Sequence, residues 1–361
     1  MPDDRSGGIK SCGRKIKSEE IAEKAGVSRS TVSKVINNYG DVGEETKKRV
    51  LKVIKEFGYS PNIAARILAG KGVETIGLFF LLQRDEAYDL ANDSIVDQMM
   101  AVVIDAAARL GFLTLTVIIR NIDDRSEAQI RDIFTQGRID AGIFLGGRSR
   151  EPVIEELVEQ GFLVGIVDYP KPAKQEPNRI IVNYDPRTGE KAAEYLISLG
   201  HREIMGVQGD LFRFDGNRKY KGFMSRLKDL GIVLPAEWDI RSSFYLGDSR
   251  SAMDKFIESG AKLPTAVFCA NDHIAYGVML SLKSKGIRVP EDVSVIGVDD
   301  AILSQYMHPP LTSFQVDFNA MLSRLTAALI EAIAEMPQVP VYLEFENSLI
   351  ERESARRIES V

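Results

Sequence analysis

From residue 74 onward, short apolar runs alternate with amphipathic stretches of helical length, and this alternation restricts the possible folds more than any other feature. The apolar runs cover residues 75–82, 113–119, 141–145, 163–167, 179–183, 203–207, 266–270 and 293–298. Such runs are typical of strands buried on both faces, and the stretches between them carry one apolar helical face. Strand–helix alternation predicts parallel sheets with helices on both faces. A chain of 361 residues is long enough for two such sheets, so we expect two lobes.

The segment before residue 74 has a different, helical pattern. Apolar residues recur at helical spacing on both sides of a tight turn at Ala25, Gly26 and Val27, and a third helix is predicted over residues 44–57. Two short helices joined by a tight turn have the dimensions of a helix-turn-helix. The pattern therefore predicts a compact three-helix head in front of the two-lobed body.

Charge is divided unevenly between these two parts. Residues 10–72 carry 14 basic and 7 acidic side chains, although the whole chain has a formal net charge of −6. A small basic module attached to a larger acidic body suggests that the head binds a polyanion and the body does not. A solvated helix surface is the alternative interpretation of the charge alone.

Composition excludes several other classes of protein. We find no apolar run of ~18 residues, and the first ten residues lack the apolar core of a secretory signal. Cys12, Cys269 and three scattered histidines suggest neither a disulfide framework nor a zinc site. We therefore expect a cytoplasmic protein with no membrane partner, no metal and no cofactor. Residues 1–13 are polar and glycine-rich, and we expect them to form a disordered leader.

Polar side chains follow several of the predicted strands. They are Asp168, Asp185, the pair Asn271 and Asp272, and the pair Asp299 and Asp300. In open α/β sheets ligands bind outside the carboxyl ends of the strands, so these groups suggest a cleft for a neutral polyhydroxylated ligand. Each of them also has an alternative role as the N-cap of the following helix. The sequence has no nucleophile elbow, no phosphate-binding P-loop and no dinucleotide fingerprint, which disfavours a kinase or a dehydrogenase.

Motifs along the whole chain occur in a recognisable order. The head has residues 21–28 and 31–37, Glu45-Thr46, Arg49-Val50, residues 58–62 and residues 68–71. The body has Asp185 with Arg187 and Gly189, Leu199-Gly200-His201, Gly222-Phe223, residues 270–272, residues 289–297 with Asp299-Asp300, and residues 309–312. From about Arg14 to the C-terminus, this series resembles the lac-repressor family of bacterial transcription regulators. The ordered series is more specific than a helix-turn-helix alone.

The resemblance implies a small all-α helix-turn-helix head plus an α/β body of two doubly wound parallel-sheet lobes, similar to a periplasmic binding protein. The expected DNA-binding head covers residues 14–60, and residues 61–72 form a hinge helix and linker. The expected N-terminal lobe covers residues 73–199 and about 319–344. The C-terminal lobe is then formed by residues 203–314 and about 345–361.

The resemblance also implies which residues bind operator DNA. The recognition helix corresponds to residues 28–37, with Arg29, Ser30 and Lys34 at base-reading positions and with Thr31, Ser33 and Asn37 near phosphates. These residue types suit the contacts assigned to them, because Arg and Lys side chains donate hydrogen bonds to guanine edges, whereas hydroxyls and amides bind phosphate. In the hinge segment, which begins at Asn62, Leu68 corresponds to the leucine that enters the minor groove, and the small Ala65 permits close approach of two hinges.

For the effector, the resemblance implies a cleft lined by Asp185, Asn271, Asp299 and Phe318. Lys219 lies where many relatives have an arginine, three residues before the Gly222-Phe223 pair. Residues 79–83 replace a loop that usually contains proline, asparagine and phenylalanine, and residues 84–93 are inserted or rebuilt. The first lobe's half of the pocket is therefore expected to be unusual.

These observations lead to one functional hypothesis and two alternatives. We expect a homodimeric transcription regulator that binds a pseudo-palindromic double-stranded operator under the control of a small ligand, with a sugar as the expected class. The resemblance implies that the regulator is a repressor. A solute-binding receptor would have the same body, but residues 14–72 argue against it. A sugar- or nucleoside-modifying enzyme would use Asp272 or Asp299 as a base. The sequence does not identify the operator sequence. It also leaves open whether the ligand acts as an inducer or a corepressor, and whether the protein is a dimer or a tetramer.

Overall fold

A computed structural model describes residues 16–36, 42–59, 72–82, 94–174 and 176–358. The chain divides into two compact units, Met1–Val73 and Glu74–Val361. The expected leader (1–13), nearly all of the expected hinge (61–72) and most of the rebuilt segment lie outside the described residues.

The first unit is built from three helices around a small apolar core. They are α1 (Ser18–Ala25), α2 (Arg29–Ile36) and α3 (Glu44–Phe57). Gly26 connects the first two in the left-handed conformation, with φ +63°, which favours glycine. Ile21 and Val50 are fully buried between the helices, and Val32 and Val35 from α2 pack beside them. This arrangement is the predicted helix-turn-helix.

The first lobe of the second unit is a six-stranded parallel sheet. Its strands are β1 (Thr75–Leu81), β2 (Leu113–Ile119), β3 (Ala141–Gly146), β4 (Val164–Val167), β5 (Arg179–Tyr184) and β11 (Val341–Phe345), in the order β11-β5-β4-β3-β1-β2. Helices α4 (Ser94–Arg109) and α11 (Phe318–Ala334) contribute to the core on one face. Helices α5 (Asp124–Thr135) and α6 (Pro152–Glu159) contribute to the core on the other face.

The second lobe repeats this architecture with one antiparallel edge strand. Its strands are β6 (Ile204–Gln208), β7 (Asp239–Arg241), β8 (Ala266–Cys269), β9 (Ser294–Asp299), β10 (Thr312–Gln315) and β12 (Ser348–Ile350), in the order β12-β10-β9-β8-β6-β7. Helices α7 (Thr188–Ser198) and α8 (Phe214–Asp229) cover one face, and α9 (Leu246–Glu258) and α10 (Asp272–Ser284) cover the other. The predicted pair of doubly wound lobes is confirmed.

The chain crosses between the lobes three times, and the first crossing lies earlier than expected. We predicted that the N-terminal lobe continues to residue 199, but α7 belongs to the second lobe. Ala192, Ala193 and Leu196 of α7 are fully buried against Phe223 of α8 and Phe268 of β8. The crossing therefore follows β5 directly, because the apolar face of α7 packs on the second sheet and not on the first.

Candidate functional site

In the head, α2 presents a polar surface on the side opposite its core residues. Arg29, Ser30, Ser33 and Lys34 are exposed, and Thr31 is half-buried. The Ser28 hydroxyl caps the helix by accepting the Thr31 backbone N–H at 3.1 Å. The predicted DNA-binding side chains that the structure describes therefore share one accessible helix. Asn37, Asn62, Ala65 and Leu68 lie outside the described residues.

Arg29 has a partner within the head. Its Nη1 lies 3.1 Å from Glu19 Oε1, and both side chains are more than half exposed. An exposed ion pair of this kind contributes only about 0–1 kcal/mol, so it is easily exchanged for another anion. The pair keeps the guanidinium on the outer surface of the helix-turn-helix.

In the body, a cavity of about 130 Å³ lies between the lobes at the carboxyl ends of the strands. The first lobe contributes a mostly apolar wall, formed by Phe80, Leu82, Ile95, Val96, Met99, Leu145, Val167 and Phe318. Phe318 packs edge-to-face against Tyr184, with ring centroids 6.3 Å apart. The second lobe contributes the polar wall, which includes Thr188, Arg213, Asp215, Lys219, Asn271, His273 and Asp299. The cavity therefore suits a ring with an apolar face and polar substituents.

A buried ion pair on α8 forms the centre of the polar wall. Lys219 Nζ lies 2.9 Å from Asp215 Oδ2 and donates a hydrogen bond to the backbone oxygen of Ala270 at 2.9 Å. Burial opposes the charge of the lysine, but the carboxylate of Asp215 is close enough that the pKa of Lys219 is raised overall. Spacing of four residues places both side chains on one face of α8, so the helix itself sets this geometry.

Asp168, at the end of β4, contributes a carboxylate from the opposite lobe. The backbone N–H of Asp215 donates to Asp168 Oδ1 at 2.6 Å, which joins the two lobes across the cavity. Burial and the neighbouring Asp215 carboxylate raise the pKa of Asp168 to about 7. Asp168 and Asp299 also have positive φ values, +66° and +110°, and such strain outside glycine is concentrated at functional sites.

Four of the five predicted effector-binding residues line this cavity: Lys219, Asn271, Asp299 and Phe318. Asn271 has both of the roles that the sequence suggested, as a residue of the ligand cavity and as the N-cap of the following helix. Its side-chain oxygen accepts the backbone N–H of Ile274 at 2.9 Å and so caps α10, while the residue faces the cavity.

The prediction that Asp185 lines the effector cavity is wrong, because the residue is not among those that line it. It lies at the first crossing between the lobes and accepts hydrogen bonds from Lys191 Nζ and from the backbone N–H groups of Arg187 and Asn347. Although burial opposes ionisation, these donors lower the pKa of Asp185. The carboxylate thus connects the first crossing to the third one, near Asn347.

Asp272 is also unsuited to the role of a base in the cavity. It is 1% exposed and accepts hydrogen bonds from the hydroxyls of Ser304 and Ser313 and from the backbone N–H of Ala301. Burial raises its pKa to about 7. These three donors hold the side chain in the core of the second lobe, so it positions the loop after β9.

Sequence reasoning missed several residues of the cavity, above all Asp215 and Arg213. The Arg213 guanidinium lies over the ring of Phe244, 5.4 Å from its centroid. A signal for Asp215 was present, since it precedes Lys219 by one helical turn. Phe244 and Arg213 gave no such signal because their loops approach the cleft only through the packing of the second lobe.

Comparisons with known proteins agree with both units. Residues 18–62 match the model for bacterial regulatory proteins of the lacI family, and residues 193–355 match the periplasmic binding protein-like domain. The HTH-type transcriptional regulator DegA of Bacillus subtilis (strain 168) is 31% identical over 297 residues, which are 81% of this chain and 84% of the relative. The HTH-type transcriptional repressor PurR of Escherichia coli O1:K1 / APEC is 31% identical over 339 residues, 93% of this chain and 96% of the relative.

Solved structures show the same architecture. A complex of the transcriptional regulator CelR with cellobiose has a TM-score of 0.71 at 26% identity, covering 94% of this chain and all of that one. A lac repressor dimer bound to operator and the anti-inducer ONPF has a TM-score of 0.79 at 23% identity, covering 95% of this chain and all of that one.

The two units and the match of each to its family model define a DNA-binding transcription regulator with a ligand-binding body. The chain belongs to the lacI family of bacterial regulatory proteins. Its relatives are transcription regulators. Among the helices that the structure describes, none is long and apolar enough to cross a membrane. The described residues also contain no cluster of three or more His, Cys, Asp or Glu side chains arranged to hold a metal ion.

Proposed function

We propose that this protein is a homodimeric repressor that binds a pseudo-palindromic operator and is controlled by a hydroxylated ring, a sugar, in the cavity between its lobes. The observation that carries the proposal is the combination of an exposed polar recognition helix with a cavity whose two walls belong to different lobes. A ligand that contacts both walls changes the relative stability of lobe arrangements. Such coupling between two sites amounts typically to about 1–3 kcal/mol.

For the DNA contacts, we assign base reading to Arg29, Ser30 and Lys34. Thr31, Ser33 and Asn37 bind phosphates, because hydroxyls and amides fix register without carrying sequence information. The excess of 14 basic over 7 acidic side chains in residues 10–72 supports DNA as the polyanion, since phosphate neutralisation provides most non-specific affinity. In the same proposal, Asn62, Ala65 and Leu68 belong to a hinge helix that forms on DNA, with Leu68 in the minor groove.

For the effector, the cavity supports a ring of modest size. Its volume of about 130 Å³ is close to the ~150 Å³ of an engineered cavity that binds benzene. Apolar side chains from the first lobe face one side of a sugar ring, and Asn271, Asp299 and Lys219 face its hydroxyls. The likeness to a CelR–cellobiose complex supports a sugar without identifying one.

Binding-site selection from random duplexes with the full-length protein tests the DNA part. We expect an enriched inverted repeat, because a two-fold symmetric dimer presents two identical recognition helices. Lys34→Ala should lose about 1–3 kcal/mol of discrimination at one position of each half-site, whereas Thr31→Ala should weaken all sequences about equally. Lys52→Ala removes an exposed lysine from α3 and serves as the matched control.

The outcomes of that selection separate the alternatives. Wild-type affinity should fall steeply as salt rises, and Lys52→Ala should retain the selected repeat. A protein that binds sugars but enriches no repeat would be a solute receptor, and the repressor proposal would be wrong.

A further inference from the structure

The cavity between the lobes holds more anionic than cationic groups. Among its described lining residues, Asp168, Asp215 and Asp299 provide three carboxylates, whereas Arg213 and Lys219 provide two cations. Both cations already have partners in the protein. Lys219 is hydrogen-bonded to Ala270 and paired with Asp215, and Arg213 lies over the Phe244 ring.

One acceptor atom in this group lacks a hydrogen bond. Asp215 is 5% exposed, and no described donor bonds to its Oδ1. Arg218 Nη2 lies 3.9 Å from this oxygen. That guanidinium donates instead to Glu344 Oε1 at 2.7 Å and to the Tyr184 backbone oxygen at 2.6 Å. A buried carboxylate oxygen without a donor is costly, so a donor supplied by a ligand would stabilise the site.

The second carboxylate beside it comes from the opposite lobe. Asp168 receives the Asp215 backbone N–H at 2.6 Å, so the two acidic residues are in contact across the cavity, and their carboxylates are close enough to repel one another. Burial and the Asp215 carboxylate raise the pKa of Asp168 even though the cations of Arg213 and Lys219 act in the opposite direction. A further positive charge beside Asp168 would therefore favour its ionised form. A hydroxyl would supply one hydrogen bond and no charge. An ammonium group supplies three donors and a unit positive charge.

We propose that the effector is an amino-substituted hydroxylated ring whose protonated amine binds between Asp168 and Asp215. This inference rests on the proposed function, since it specifies the ligand of the same cavity. One added positive charge balances the anionic excess. Because Asp168 and Asp215 belong to different lobes, the amine also connects the lobes directly, which gives the ligand a means of changing their arrangement.

Isothermal titration of the full-length protein with matched sugar pairs tests this inference. The probes are glucosamine, galactosamine and mannosamine, each compared with its parent hexose and with its uncharged N-acetyl derivative. For at least one series we expect the amine to bind about tenfold or more tightly than both uncharged members. Asp215→Asn should reduce that advantage to less than about threefold, with the affinities of the amine and of the parent hexose compared within the same variant.

Two further variants make the result decisive. Asp168→Asn, in the other lobe, should cause the same loss of preference for the amine. This second variant keeps the inference testable if Asp215→Asn fails to fold. Asp229→Asn, at the exposed end of α8, should keep the full preference for the amine. Equal binding of amine and parent hexose, or an unchanged preference in both cavity variants, would overturn this inference and leave the repressor proposal intact. If no compound of the panel binds, both the amine and the sugar class are wrong, whereas operator selection still tests the DNA part separately.

Discussion

Gly189→Ala is expected to lower the free energy of unfolding of the body by about 3 kcal/mol or more, a decrease of roughly 6–12 °C in Tm. Gly189 lies where α7 crosses α8 in backbone contact. A Cβ atom there would stand 2.0 Å from the Lys219 backbone oxygen and 2.7 Å from the Phe223 backbone nitrogen. Neither atom can rotate away, so the helices must separate. Because Lys219 lines the cavity, ligand affinity should fall together with stability.

Gly222→Ala is the matched control on the other side of the same helix contact. Its Cβ would meet Glu190 at 3.4 Å, which is ordinary van der Waals contact, and alanine is about 0.5–1 kcal/mol better than glycine inside a helix. We expect unchanged or slightly increased stability by thermal and urea unfolding. Equal stability of the two variants would show that α7 and α8 do not approach as closely as described.

The body should be less stable at pH 8 than at pH 5, in part because of Asp168. Its pKa in the folded protein is about 7, above the ordinary value of 3.8. Between these two values the folded state binds more protons than the unfolded state, so the free energy of unfolding decreases as pH rises. The rise in the pKa of Asp168 from 3.8 to about 7 corresponds to at most about 4 kcal/mol of folding stability. Because Asp168 is partly accessible to solvent, we expect a loss of about 1–3 kcal/mol.

Asp168→Asn removes this titration while keeping an oxygen that can accept the Asp215 N–H. We expect the variant to gain stability relative to wild type on going from pH 5 to pH 8, measured by urea unfolding at each pH. Asp272, whose pKa is also raised, titrates in both proteins and cancels in the comparison. Parallel stability curves for the two proteins would contradict an elevated pKa at Asp168.

The architecture was largely predictable, because long apolar strands and amphipathic helices are determined by local periodicity. The strands that were missed are short or weakly apolar, such as β7, β10 and β12, or partly exposed, such as β11. Their positions depend on the neighbouring strand and not on their own pattern. The lobe of α7 was misassigned for a related reason. Its partner is selected by the backbone contact at Gly189, which involves residues 30 positions away.

The cavity was predictable only in part. Asn271 and Asp299 follow strands, and the rule that ligands bind at strand ends places them at the cavity. The same rule failed for Asp185 and Asp272, because their carboxylates accept hydrogen bonds from nearby protein donors. For Asp215, the spacing of four residues from Lys219 indicated a shared helix face, but nothing in its local pattern indicated the contact with Asp168 of the other lobe.

Operator affinity measured with and without a bound compound tests the central claim most directly. Fluorescence anisotropy of the selected duplex with the full-length protein should show a change of about 5–150-fold in Kd on addition of a sugar or amino sugar that raises the Tm. Asp299→Ala should keep the unliganded Kd within about twofold and lose the response, since loss of a carboxylate that hydrogen-bonds the ligand in the cavity costs about 1–3 kcal/mol of ligand affinity. A compound that binds the wild-type body but leaves operator affinity unchanged would contradict control of DNA binding by the cavity, and an undiminished response in Asp299→Ala would contradict its location.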